Sequence, residues 1–315
     1  MTYAPPESSR QVEEFSRDEL RKEITHDYST SVEGIVPLYE RRPQRYFIFL
    51  WITLAAGLAF LFQGFTYYAA GYSIWKMLAA TILGSAIYIA FAEGWTDADG
   101  TDVVRRDLTD EAIFLARLVT DLLPNEAEAS GLLALLLYAQ ARRDARRNAL
   151  GDYVPLAEQD SARWNASMID EAEALLLHAS TLGSIGRFQL EAAVQSAHVH
   201  GCRIGQTDWS ALVQLYDALT RLTGSPVVAI NRALAIAALH GAEAALAAMP
   251  TPASDARLAE YQPYWAARAE LLARTGGCLE ANHAYDLAIG LERDPAVRRF
   301  LQQRQAAMES KLSGT

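Results

Sequence analysis

From Asp107 to the C-terminus, apolar side chains return every three or four positions with polar ones between them. The rhythm is clearest over residues 108–123, 129–149, 162–182, 187–200, 208–223, 227–239, 242–249, 257–275, 278–292 and 296–311. Apolar residues at i, i+3, i+4 and i+7 line one face of a helix, so each stretch predicts one. Pro124-Asn125, Gly151-Asp152, Gly183 to Gly186, Gly224-Ser225-Pro226, Pro250 to Pro252 and Gly276-Gly277 interrupt the rhythm and mark the turns between helices. No segment alternates convincingly with the two-residue period of a strand. The expected architecture over residues 93–315 is all-α, with helical hairpins stacked one on the next.

A longer period lies on top of the helical one. Tyr216-Asp217 is followed, ten residues after the tyrosine, by Pro226, and Tyr285-Asp286 is followed by Pro295 at the same spacing. The distance from the first motif to the second is close to two units of the tetratricopeptide period of about 34 residues. Residues 262–295 fit one such unit, with Trp265, Ala269, Leu272, Gly276, Ala281, Tyr285 and Ala288 at its large and small positions. Small residues let paired helices approach, and large ones fill the space between them. A unit of this kind cannot bury its apolar face alone, so the helices of 108–200 are expected to stack beneath it.

Upstream the pattern changes. Residues 46–71 hold no charged side chain, and about 20 apolar residues suffice for a helix to cross a bilayer. A second uncharged run, Met77 to Ala92, reaches spanning length if Tyr72 to Trp75 are added, with Lys76 snorkelling. Arg41, Arg42 and Arg45 before the first run and Arg105 and Arg106 after the second favour a two-span hairpin with both ends inside. Residues 1–45 are a polar tail in which 9–25 carry helix-spaced charges, and no cleavable signal peptide is expected. The expected organisation is a tail over 1–45, a membrane segment over 46–92 (either one span at 46–71, or two with a second at 73–92) and a helical domain over 93–315. It places the chain in the inner membrane, with that domain facing the cytoplasm.

Charge and chemistry narrow the function. With 28 Lys and Arg against 38 Asp and Glu, the net charge is −10, which argues against direct DNA binding. Cys202 and Cys278 are too few and too far apart for a disulfide framework and are expected as thiols. There is no Gly-rich phosphate loop, nucleophile elbow, Ser/His/Asp ordering or apolar carboxylate pair, so a non-enzymatic role without a cofactor is expected. His198 and Cys202 share a helix face but His200 points away. Around Asp97, Asp99 and Asp102 the glycine comes too early and Leu108 stands where a calcium loop needs Glu. Neither group is expected to bind metal.

Candidate partner-binding residues remain. Arg142, Arg143, Arg146 and Arg147 form one dense basic patch, suited to an anionic partner or to internal pairing with Glu158, Asp160 or Glu111. Asp160 and Trp164 could line a groove; alternatively Asp160 or Ser161 caps a helix starting there while Trp164 packs. Trp209 repeats that choice, with Thr207 or Asp208 as cap. Asn231 and Arg232 interrupt the apolar helix VVAINRALAIA. A polar pair there needs partners, either a ligand in a repeat groove or an internal clamp.

Several of these segments together resemble the C-terminal extension of a subgroup of extracytoplasmic-function RNA polymerase sigma factors, the subgroup with a long tetratricopeptide-like tail. The matching stretches are Glu93-Gly94-Trp95, RRDLTDEAIFLARL (105–118), GLLALLLYAQARRDAR (131–146), LAEQDSARW (156–164), TDWSALVQLYDAL (207–219), SPVVAINRALAIA (225–237), AARAELLARTGGCLEANHAY (266–285) and RRFLQQR (298–304). The family's two promoter-reading domains, which need roughly 150 residues, have no counterpart in the 80 or so residues upstream. Ala139-Gln140 and Ala92 also replace the family's His-Asp and Asn. The resemblance implies a regulatory tail: a membrane-anchored, non-enzymatic repeat module binding a protein or peptide in its groove and acting in transcription or signalling. The alternative it implies is a divergent or truncated sigma factor, with RNA polymerase as direct partner.

Overall fold

The stretch AEASGLLALLLYAQA, Ala127 to Ala141, is apolar on nearly every side of a helix, and such a helix must be covered all round. In the computed structural model it is the hub of the domain. The structure describes residues 73–95 and 103–313, which lie in one unit, Tyr72–Thr315. Among the described residues eleven α-helices follow one another: α1 Ser73–Trp95, α2 Val103–Leu122, α3 Ala127–Ala141, α4 Ala166–Thr181, α5 Arg187–Ile204, α6 Trp209–Thr223, α7 Pro226–His240, α8 Ala242–Ala248, α9 Gln262–Arg274, α10 Cys278–Leu291 and α11 Pro295–Ser313. Short 3-10 turns at Arg143–Arg146, Leu156–Glu158, Ser161–Arg163 and Ala256–Glu260 join some of them.

Helix α3 packs against α1, α2, α4 and α5, and Leu132, Leu133, Leu135, Leu136, Leu137 and Tyr138 are all buried. The α3–α5 contact is close: a Cβ on Gly131 would stand 2.6 Å from the backbone nitrogen of Gln189. The same two helices are joined at their starts. Gly186 at the N-cap of α5 has no side chain to offer, and Glu128 of α3 takes its place, accepting from Phe188 N at 3.1 Å and Gln189 N at 3.0 Å. Burial raises the Glu128 pKa, while backbone N–H bonds from Gln189, Phe188 and Arg187 pull it down.

From α6 onward each helix packs on the next, through α7, α8, α9, α10 and α11. Pro226 and Pro295 open α7 and α11, where a fixed φ and a missing N–H cost nothing. Residues 262–295 hold the hairpin α9–α10, with Gly276 in left-handed backbone (φ +81°) at the turn. Ala269, Ala281, Tyr285 and Ala288 are buried there, and Trp265 packs against the clusters on both of its sides.

The expectation of membrane spans needs correcting. No helix among the described residues is long and apolar enough to cross a membrane. The second apolar run lies in α1, which is a core helix. Leu83, Ile87 and Phe91, spaced four apart, are buried, and a Cβ on Gly84 would touch Phe188 of α5 and Leu132 of α3. One side of this helix is covered by protein, while Ile82 and Ile89 are exposed; with no described helix able to cross a membrane, the two-span hairpin and the inner-membrane placement built on it lose their support. The span over 46–71, the tail over 1–45 and the acidic loop of Asp97, Asp99 and Asp102 lie outside the described residues.

Three helix limits also differ from expectation. The stretch 129–149 leaves the α-helix after Ala141. The stretch 162–182 becomes helix only at Ala166, where Asn165 is the cap, accepting from Met168 N at 3.1 Å. The stretch 257–275 begins as a 3-10 turn and restarts at Gln262, just before Pro263.

Candidate functional site

The chain leaves α3 through four arginines, and tertiary partners decide where each one goes. Arg142 donates from Nε to Tyr138 O at 3.1 Å and from Nη2 to Gln195 Oε1 of α5. Arg143 turns the other way, donating to the buried Thr109 Oγ1 of α2 at 2.6 Å and to Gly94 O of α1 at 3.2 Å. Arg147 donates to Gly151 O at 3.0 Å and pairs with Asp294 at the start of α11 at 2.6 Å. Glu158, Asp160 and Glu111 are not among these partners.

After the arginines the backbone doubles back in a tight hairpin. Val154 N donates to Arg146 O at 2.8 Å, and Arg147 bridges Tyr153. Asn148 Oδ1 accepts from Leu150 N and Asp152 N, both at 2.9 Å. Gly151 takes φ +79°, which a side chain would strain. The hairpin returns Tyr153 to the arginines. Its ring meets Phe300 of α11 edge-on, with centroids 5.5 Å apart, and Arg299 pairs with Asp152 at 3.2 Å.

The fourth wall is α5, which brings Gln195, His198 and Cys202. His198 meets Trp209 of α6 edge-on at 6.1 Å. Arg142, Arg146, Tyr153, Gln195, His198 and Cys202 are all half-buried. Burial, aided by the charge of Arg146, pushes the Arg142 pKa down to about 10. Burial also lowers Arg146, with Arg147 and Arg143 adding to the effect against the opposing Tyr153 and Asp294. His198 is pushed down to about 4 by burial and by Arg142, so it is neutral near pH 7. Burial raises Tyr153 and Cys202. The ensemble is a half-buried set of arginine and neutral polar side chains, chemically able to hold an anion or a polar group. Among the described residues, no three His, Cys, Asp or Glu side chains are placed to hold a metal ion.

The other sequence candidates lie elsewhere. Asp160 accepts from Ala162 N at 2.9 Å and so caps the short turn Ser161–Arg163 and not a helix. Trp164 is buried. Asp208 caps α6 through Ala211 N at 2.9 Å, leaving Trp209 half-buried beside His198. Asn231 is exposed on α7. Arg232 pairs with Asp217 of α6, which is the internal clamp. The structure therefore gathers Arg142 with Arg146 and places Trp209 next to His198. Arg143 joins α1, α2 and α3. Tyr153 and Gln195 had no signal in the sequence, because Gln195 meets Arg142 across 53 residues.

Residues 81–180 match a family of unknown function (DUF6596), a stretch that includes the whole Arg142–Tyr153 segment. The chain is also 40% identical over 222 residues to the uncharacterized protein R00370 of Rhizobium meliloti (strain 1021). That match takes in 70% of this chain and 52% of the relative, so the chain spans about half the length of the curated relative it matches.

Proposed function

We propose that this helical protein is a non-enzymatic interaction module that holds a protein or peptide partner, and that it is related to the regulatory tail of a sigma factor. The observation that carries the reading is the Arg142–Tyr153 cluster, where α3, the 147–153 hairpin, α5 and α11 bring half-buried polar side chains together. Two further features support it. Helices stacked in order from α6 to α11 suit a long ligand surface. The R. meliloti relative carries the similar region joined to further sequence, as a regulatory tail would be. Residues 93–315 are the part to which the role belongs.

The test is site-specific photo-cross-linking with the full chain in cells. The cross-linker replaces Leu150, which is 84% exposed at the hairpin tip, or Asn231 on α7, with Leu177 on α4, 70% exposed, as the control. A defined protein adduct from position 150 or 231 and none from 177 is the expected result. Equal labelling at all three positions, or none, refutes the reading. An adduct to an RNA polymerase subunit would select the sigma-factor alternative.

A further inference from the structure

Helices α9 and α10 and the loop that precedes α9 frame an open cavity of about 480 Å³, a size that suits a small ligand. Pro252 of the loop, Trp265 and Leu272 of α9, and Leu279 of α10 supply its apolar lining. The walls are fixed by their own bonds. Trp265 Nε1 donates to Ala259 O at 2.9 Å, and the Tyr264 ring meets Trp265 edge-on with centroids 5.0 Å apart. In the loop, Ser254 Oγ accepts from Thr251 N at 3.0 Å and donates to Thr251 O at 2.7 Å. A preformed wall spares a ligand part of the ordering cost of binding. Arg268 of α9 lines the same cavity and is half-buried. Arg257 and Arg304 pair with Asp255 and Glu270. Arg268 pairs with no carboxylate and donates no side-chain hydrogen bond among the described residues. Glu280, the acid on the lining, is turned back over the first turn of α10, its Oε2 3.6 Å from where a Cβ on Gly277 would stand. A helix N-terminus favours negative charge there, so this carboxylate is stabilised without Arg268. A guanidinium group holds a carboxylate through two parallel bonds, shorter and stronger than neutral ones.

We propose that this cavity binds a carboxylate carried on an apolar body. Arg268 takes the carboxylate, and the wall of Trp265, Leu272 and Leu279 takes the body. A free apolar acid and the last residue of a peptide both offer that chemistry. No residue of the Arg142–Tyr153 cluster takes part, so the site does not rest on the interaction reading above.

The experiment follows the indole N–H signals of the purified full chain by NMR, with the Trp265 signal identified by its loss in Trp265→Phe. The probes are N-acetylphenylalanine, its uncharged amide, acetate, and a blocked tetraglycine peptide ending in phenylalanine, all at equal ionic strength. N-acetylphenylalanine should move the Trp265 signal saturably, with one site and a Kd of about 1 mM or tighter. The amide should bind at least tenfold more weakly, and acetate should move nothing. Arg268→Gln should weaken the acid at least tenfold and leave the amide unchanged, a split that general loosening of the fold would not produce. Arg274→Gln, on the same helix but off the lining, should bind like the parent. If Arg268→Gln does not fold, Leu279→Glu decides. Leu279 is 87% exposed, so the change spares the packing, and the added negative charge should weaken the acid at least threefold. Binding of the acid alone assigns the site to small molecules, and binding of the peptide assigns it to chain ends. No shift with acid or peptide up to about 10 mM overturns the proposal. So does an amide or acetate response equal to that of the acid, or an affinity within threefold of the parent in the deciding variant.

Discussion

Glu128 and Gly186 make a pair whose worth can be measured. The Glu128 carboxylate of α3 caps a helix distant in sequence, α5, and a Cβ on Gly186 would land on that carboxyl group. Gly186 has extended backbone, φ −124°, which alanine adopts freely. The penalty of Gly186→Ala is therefore not conformational. It comes from displacing a flexible side chain and losing its bonds to Phe188 N and Gln189 N. A helix cap is worth about 1 kcal/mol, and a bond to a charged acceptor about 1.5–3 kcal/mol before solvent competes. For this half-buried site we expect about 1–2 kcal/mol, or about 3–6 °C in Tm for a unit of this size. Glu128→Ala should cost the same, because it removes the same bonds. The double variant should cost little more than either single one, so the coupling should nearly equal the whole cost of one variant. Urea midpoints of the four proteins read this directly. Additivity within about 0.5 kcal/mol would refute the reasoning, since it would mean that the carboxylate is not what the glycine makes room for.

Two further outcomes follow from the core and from the cluster. Leu136→Ala, at a position with 0% exposure in the hub helix, should cost about 2–5 kcal/mol, read as a lower urea midpoint; a loss below about 1 kcal/mol would mean that α3 is not the centre of the core. His198 titrates near 4 in the fold and near 6.5 unfolded, so its neutral form stabilises the fold above pH 6.5, and that contribution is lost as pH falls from about 6.5 to 4. The loss at pH 5 is about 2 kcal/mol at most, and His198→Gln should flatten the pH 7-to-5 drop in urea midpoint; an unchanged slope would refute it.

Much of the helical plan is legible in the sequence, because turn residues punctuate it. Gly224-Ser225-Pro226 and Gly276-Gly277 stop helices through local chemistry, and the helices on either side begin and end within a few residues of expectation. The end of α3 is different. Between Ala141 and Gly151 the sequence offers Arg, Asp, Ala and Leu with one Asn, and nothing local to stop a helix. The chain turns there because Arg142 and Arg143 bond to side chains and carbonyls on α1, α2 and α5, at separations of 34 to 53 residues. Periodicity cannot report such partners. The same limit explains α1, since an uncharged run such as Met77 to Ala92 looks alike whether lipid or protein covers it. In the candidate site, the arginines were legible as a patch. Which of them face the site and which brace the fold was not, because that depends on where Thr109, Gln195 and Asp294 arrive.

The contacts between the 147–153 hairpin and α11 change how this molecule can come apart. A simple stack of repeats behaves as a one-dimensional array and can fray from its last unit inward. Here Arg147–Asp294 and Arg299–Asp152 each join positions 147 residues apart, and Tyr153 adds an aromatic contact to Phe300. The final helix is a buckle as well as an end cap. Undoing it removes a wall of the arginine cluster, so terminal fraying should be coupled to the α3–α5 half, and melting should be cooperative instead of unit by unit.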